Sequence, residues 1–295
     1  MKSDEAVNPE LAAGTSGTIV RGMSLEDHLG DIIRKARSMS GISVEAAATA
    51  VGLSPTELGS LEQTGQCSAR LDLTALAELI GLDARKLQGI ASGWLPTKAD
   101  LNRWRVLKVI TTSDGDMSVN CILVWDEETR AAALFDTGFD PALVTREIAN
   151  SQLQLHHIFI THGHSDHVAG LSSLRQRFPS AQVHTGGRSR PSEQKSRRGE
   201  VIPLGRLQIA HRVTPGHADD GVTYLISHWP DDAPQVAIVG DALFAGSMGR
   251  APGAWELART AVREEILSLP SQTLLCPGHG PVTTVGEEVA HNPFF

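Results

Sequence analysis

Apolar residues recur at helical spacing in the first third of the chain and at strand spacing in the rest. Residues 1–23 are polar, small and aperiodic, and read as a flexible tail. Beyond them, Leu29, Ile32, Ile33 and Ala36 give one apolar face at helical spacing. Ser24 followed by Asp27 marks the start of that helix. Ser43 and Ser54 are further N-cap candidates, and Gly41, Gly52 and Gly81 sit at breaks, so five short helices fit between residues 24 and 92. Residues 93–102, SGWLPTKADL, read as a linker.

After the linker the period changes. RWRVLKVIT, NCILVW, AALFD and HHIFI, then LQIAHRV, VTYLIS, VAIVG and TLLC, are short β-rich runs set apart by Gly, Asp and Pro. Helices are predicted at 140–149, 168–178 and 253–267. Strands in series with interspersed helices predict an α/β domain over residues 103–295, with sheets inside and helices outside.

Composition narrows the function classes. The 295 residues fit one large domain plus a small one. A net charge of −8 gives the whole molecule no broad attraction to nucleic acid or anionic membranes. No apolar run reaches the roughly 18 residues of a membrane span, and the acidic N-terminus has no apolar h-region, so neither a membrane helix nor a secretory signal is expected. Cys67, Cys121 and Cys276 are widely spaced and offer neither a disulfide framework nor a thiolate cluster. A cytoplasmic location is the expectation.

The chemistry concentrates in Thr161-His162-Gly163-His164-Ser165-Asp166-His167, directly after the strand-like run His157–Ile160. In an extended chain alternate side chains share a face, so His162 and His164 can point at one ion. Asp166 and His167 fall where the chain turns into the helix expected near Val168, and can face a second ion. Buried without a metal, such a cluster would cost several kcal/mol per group. Imidazole and carboxylate together suit zinc, and also iron or manganese. Further ligands are offered at strand ends: His217 in Thr214-Pro215-Gly216-His217, Asp241 after Gly240, and His279 in Pro277-Gly278-His279-Gly280. By contrast, His28, His156, His157, His184, His211, His228 and His291 are read as surface or capping residues.

These motifs, together with Asn120-Cys121, Asp136-Thr137-Gly138 and Gly240-Asp241-Ala242-Leu243-Phe244, occur in one order along the chain. In that order residues 103–295 resemble the metallo-beta-lactamase superfamily. The resemblance implies an αββα sandwich and two divalent metal ions, zinc first, with iron or manganese as alternatives. It assigns His162, His164 and His217 to one ion, Asp166, His167 and His279 to the other, and Asp241 as the bridge. Gly246-Ser247-Met248-Gly249-Arg250 and the ending Asn292-Pro293-Phe294-Phe295 are similar to glyoxalase II-like hydrolases. The chain ends soon after His279, so the helical C-terminal domain with which glyoxalase II grips glutathione is not expected.

The expected reaction is hydrolysis of an ester, thioester or lactone carbonyl by a hydroxide shared between the two ions, with Asp166 as ligand and catalytic group that orients it. The alternatives are a metabolite-sensing transcription regulator with a hydrolase-like domain, and a mononuclear iron persulfide dioxygenase. The expected partner is a small-molecule substrate, anionic if the basic segment 187–198, GRSRPSEQKSRR, forms a lip over the site. A homo-oligomer is also expected.

Residues 44–63 match a helix-turn-helix, with Ala48 at the small position of the first helix, Gly52 at the turn, and Leu58 and Leu61 in the core of the second. With its flanking helices, the region 24–92 resembles the Xre/Cro-like repressors, a small all-α domain. Six basic against nine acidic residues in that region, and no Arg or Lys in the would-be recognition helix, do not favour DNA binding, because phosphate contacts supply most of that affinity. A protein-contact or dimerisation role is the preferred expectation for it.

Overall fold

In the computed structural model the described residues are 24–66, 71–186, 193–195 and 200–295. The tail and all of the basic segment 187–198 except Glu193–Lys195 lie outside them. Among the described residues, strands β1 (Leu107–Asp114), β2 (Met117–Trp125), β3 (Ala131–Phe135), β4 (Gln154–Phe159), β5 (Gln182–Thr185) and β6 (Glu193–Lys195) form one sheet in sequence order. A second sheet holds β7 (Val201–Leu204), β8 (Leu207–Val213), β9 (Val222–Ser227), β10 (Val236–Gly240), β11 (Leu274–Pro277) and β12 (Thr283–Thr284), ordered from β12 to β7.

The two sheets face each other over a core that includes Phe135, Phe159, Tyr224, Ile238 and Cys276. Helices α6 (Pro141–Asn150) and α8 (Leu171–Arg177) cover the first sheet through Val144, Ile148 and Leu174. Helices α9 (Trp255–Glu265) and α10 (Val285–His291) cover the second through Val262 and Val285. The expected αββα sandwich is therefore present. Its central strands β3 and β10 are buried along their whole length, which is why they read as unbroken apolar runs.

Topology places the chemistry. β3 and β4 run parallel, as do β10 and β11. The chain segments leaving these four strands therefore emerge at one end of the sandwich. Backbone bonds tie the two sheets together there: Val222 N donates to Thr161 O at 2.9 Å, and Asn120 N to Gly278 O at 2.8 Å.

The amino-terminal region folds into helices α1 (Leu29–Met39), α2 (Val44–Ala50), α3 (Pro55–Thr64), α4 (Thr74–Ile80) and α5 (Ala84–Ala91). Ser43 and Ser54 cap α2 and α3, as their side chains suggest, and Ser54 closes a capping box with Glu57. The start of α1 differs from expectation. Its cap is His28, whose Nδ1 accepts from Asp31 N at 3.1 Å, and neither Ser24 nor Asp27 performs that role. Asp27 is drawn inward to a tertiary partner: its carboxylate meets Lys35 Nζ and Ser247 Oγ, each at 2.5 Å.

Two other expectations change. His184 and His211 are buried strand residues, because both project inward from β5 and β8, and His184 stacks on Phe159. Residues 93–102 are packed rather than free: Trp94 stacks on His291, and Thr97 N donates to Glu287. The helices also share a core with Met248, Ala251, Ala258 and Phe294.

The loop that follows β10 is gripped from behind by Glu288 of α10. Its carboxylate accepts from Gly246 N, Thr283 Oγ1 and Asn292 Nδ2 at 3.0, 2.8 and 2.8 Å. Burial pushes this carboxyl up from 4.5 to about 7, against those three donors. The folded protein thus holds the proton more tightly than the unfolded chain. The stabilisation is complete below pH 4.5 and is lost as pH rises to about 7. Relative to Glu288→Gln, the wild type is expected to lose about 2–3 kcal/mol of unfolding free energy across that window, measured by urea denaturation at a series of pH values.

Candidate metal centre

The motif after β4 is delivered by a strand exit and a short helix. Ile160 and Thr161 continue β4, and His164 is the N-cap of α7 (Ser165–Val168), which begins earlier than the Val168 expected. Asp166 and His167 therefore sit on the first turn of α7, and their donor atoms come together with that of His279. His162, His167, Asp166, Asp241 and His279 are buried, whereas His164 is exposed and His217 half-buried.

All seven expected residues come together. The donor atoms of His162, His164 and His217 form one group within 4.8 Å, and those of Asp166, His167 and His279 another. In the first group, His164 Nδ1 lies 3.0 Å from both His162 Nε2 and His217 Nε2. In the second, His279 Nε2 lies 3.2 Å and His167 Nε2 3.6 Å from Asp166 Oδ2. Asp241 stands between the groups, Oδ1 at 3.3 Å from His167 Nε2, and Oδ2 at 3.4 Å from His279 Nε2 and 3.5 Å from His217 Nε2.

The ring nitrogens turned away from the centre are held by hydrogen bonds. His167 Nδ1 meets Asp136 at 2.8 Å, His217 Nδ1 the Arg250 carbonyl at 3.0 Å, and His279 Nδ1 the Ser118 carbonyl at 2.5 Å. These contacts fix the ring orientation and leave each Nε2 facing inward. Sequence reasoning read Asp136 as a motif residue without a role. Its carboxylate also accepts from Thr161 N and Oγ1, each at 2.8 Å, and its backbone is left-handed at φ 57°. A non-glycine residue held there signals a conformation imposed by its surroundings. Room at the centre is equally tight. A Cβ on Gly278 would come within 2.3 Å of Asp241 Oδ1 and 2.6 Å of His167 Cε1.

Electrostatics follow from this crowding. Burial lowers His162 to about 4, with His167 adding to the effect. Burial also opposes charge on His167, but Asp136 and Asp241 outweigh it and raise the imidazole to about 11. His279 rises against burial to about 9 through Asp241, the Ser118 carbonyl and Glu26. Asp241 is held well below the carboxylate range, where His167 and His279 overcome its burial. Cys121, by contrast, is pushed up to about 12 by burial and lies outside the cluster.

The donor set fits divalent ions. His167 Nε2 and Asp241 Oδ1 are buried and face each other at 3.3 Å, and neither makes a hydrogen bond of good geometry with any described residue. His162 and His217 both turn Nε2 toward His164 Nδ1 at 3.0 Å, and a single ring nitrogen cannot satisfy both as a hydrogen-bond partner. Imidazole and carboxylate without thiolate suit zinc, iron or manganese.

The chain belongs to the metallo-beta-lactamase superfamily, whose family model matches residues 114–279, more than half of the sequence. Members of that superfamily bind divalent metals, and homologues support an enzyme. The chain is similar to "Hydroxyacylglutathione hydrolase GloC" of Haemophilus influenzae, at 27% identity over 59% of this chain and 92% of that one. It is similar to "Probable metallo-hydrolase YqgX" of Bacillus subtilis, at 28% identity over 65% of this chain and 97% of that one. Among solved structures it resembles ETHE1 from Myxococcus xanthus, with a TM-score of 0.53 and 30% identity, covering 63% of this chain and 83% of that one. Among the described residues no helix is long and apolar enough to cross a membrane.

Asp136→Ala removes the carboxylate that meets His167 Nδ1 at 2.8 Å while leaving every candidate ligand in place. It is expected to weaken zinc binding about 10–100-fold, read by competition with a chromophoric chelator, with the melting profile of the metal-free chain recording any loss of fold.

Proposed function

We propose that this protein is a binuclear metal-dependent hydrolase of small acyl compounds, cleaving an ester, thioester or lactone carbonyl. The observation that carries this reading is the pair of three-residue donor groups with Asp241 between them. His162, His164 and His217 would hold one ion and Asp166, His167 and His279 a second, with Asp241 standing between the two groups. Zinc is the preferred metal, with iron or manganese as alternatives.

When bound, such ions polarise a carbonyl and lower the pKa of a water from 15.7 to about 7 for zinc. The chain's own groups do the rest. Asp166 orients the attacking water through the carboxylate oxygen not turned toward His279, and holds the proton released there. Asp136 keeps His167 in the tautomer whose Nε2 faces the centre. The carbonyls of Arg250 and Ser118 do the same for His217 and His279. Phe244, with its ring centre 5.8 Å from that of His279, gives the cavity in front of the centre an apolar wall.

A second reading, a mononuclear iron persulfide dioxygenase, is favoured by the 31% identity to the proteins named "Persulfide dioxygenase ETHE1, mitochondrial" of Homo sapiens and Bos taurus, over 58% of this chain. The complete second group, Asp166, His167 and His279, supports two ions instead. DNA binding forms no part of the proposal. In α3, Glu57 is engaged in the capping box and Glu62 pairs with Arg37 at 2.6 Å, and the helix carries no cation for phosphate.

The test is turnover of a panel of aryl esters, acyl thioesters and lactones by the metal-loaded chain. Measurable hydrolysis that falls at least about 1,000-fold in the double variant Asp166→Ala, His167→Ala is expected. Oxygen consumption with a glutathione persulfide, without hydrolysis of any panel member, would transfer the assignment to the dioxygenase.

A further inference from the structure

The cavity in front of the metal centre is walled by both halves of the chain. It encloses about 390 Å³, and its lining combines Asp166, His217 and His279 with Glu26 and Arg34 from the amino-terminal helical region. That region is locked in place. Lys35 and Asp27 form a buried pair, Lys35 Nζ also donates to the Met248 carbonyl at 3.0 Å, and Ser247 Oγ donates to Asp27. Ser247 and Met248 belong to the loop that begins at Asp241. Removing one member of such a pair strands a buried charge, so α1 cannot drift from the cavity without cost.

Beside the candidate ligands the cavity is lined by the acids Glu26, Asp27, Asp31 and Asp116 and by the cations Arg34, Lys35 and Arg250, with Asp27 and Lys35 paired to each other. Glu26 is on the His279 side: its backbone packs against Gly280, and its carboxylate helps raise the His279 imidazole. Arg250 is on the His217 side, where its carbonyl accepts from His217 Nδ1. Its side chain is exposed and pairs with no carboxylate among the described residues. Arg34 reaches the cavity from α1. One terminal nitrogen is held by Asp31 at 2.6 Å. That contact orients the guanidinium and leaves most of its five donors unused.

We propose that the helical region is the substrate-recognition wall of the metal centre, and that Arg34 and Arg250 receive a carboxylate carried by the acyl substrate. The inference rests on the hydrolase reading for the reacting end of that substrate only. A guanidinium presents a planar fork that matches a carboxylate and is insensitive to pH. Glu26 beside His279 repels a carboxylate and so disfavours its seating at that imidazole. The helical region then acts in choosing the substrate, through a contact made with the metal domain of its own chain.

The test is calorimetric titration of the full, metal-loaded chain with succinate, glutarate and adipate, each against its monomethyl ester. Wild type is expected to bind at least one dicarboxylate about tenfold more tightly than the ester. That preference should fall to near parity in Arg34→Ala and return in part in Arg34→Lys. Metal content and melting temperature are checked for each variant, and Arg34→Gln replaces Arg34→Ala if the latter is unstable. No preference in wild type, or an undiminished preference in the folded Arg34 variants, overturns the proposal. Binding is read without turnover. A chain that keeps the Arg34-dependent preference but hydrolyses nothing refutes the hydrolase reading alone, and a chain that hydrolyses acyl substrates without the preference refutes the wall alone.

Discussion

Seven imidazole and carboxylate side chains converge at one end of the sandwich, and holding them together is the constraint to which the surrounding structure answers. Groups of this kind, buried without water, are costly unless each has a partner. The fold meets the requirement in layers. Parallel pairing of β3 with β4 and of β10 with β11 brings the donor-bearing segments to one end. Asp136 and two backbone carbonyls then take up the outward nitrogens of His167, His217 and His279. His167 Nε2 and Asp241 Oδ1 are left aimed inward, 3.3 Å apart, with no hydrogen bond of good geometry to any described residue. Those two atoms mark where the protein's own polar bookkeeping stops and a metal ion would complete it.

The segment from Asp241 to Arg250 shows how the same constraint reaches across the molecule. It begins with the residue between the two donor groups and ends with the carbonyl that orients His217. Between these points it is held on one side by Asp27 and Lys35 of the helical region, and on the other by Glu288 and Asn292 near the carboxyl terminus. Elements from both ends of the described chain thus fix one loop at the centre. Precise placement of donors requires support of this kind, because a displacement of about 1 Å in a catalytic group can cost on the order of 100-fold in rate.

Much of this was legible in the sequence, for reasons that differ by element. The runs of β8, β9 and β10 were read to the residue, since long apolar stretches bounded by Gly and Pro leave little choice. The strands Gln182–Thr185 and Thr283–Thr284 were not read, because so few residues carry no period. The cluster His162–His167 and the partners His217, Asp241 and His279 were visible as polar ligands at strand ends. Asp136 was visible only as a motif, because its bond to His167 joins the exit of β3 to helix α7, 31 residues further on. His184 and His211 were taken for surface residues, since nothing local distinguishes an inward strand position from an outward one. Asp27 looked like part of a helix start but serves a partner more than 200 residues away. The wall formed by Glu26 and Arg34 was invisible for the same reason.

The most direct measurement of the central claim is the metal content of the chain purified without added metal, determined by elemental analysis against protein concentration from amino-acid analysis. The account gives about two divalent ions per chain, with both lost or sharply depleted when Asp241 is replaced by Ala, because that residue touches both donor groups. A single iron per chain, unaffected by removal of His279, would contradict it and leave the second donor group without a function.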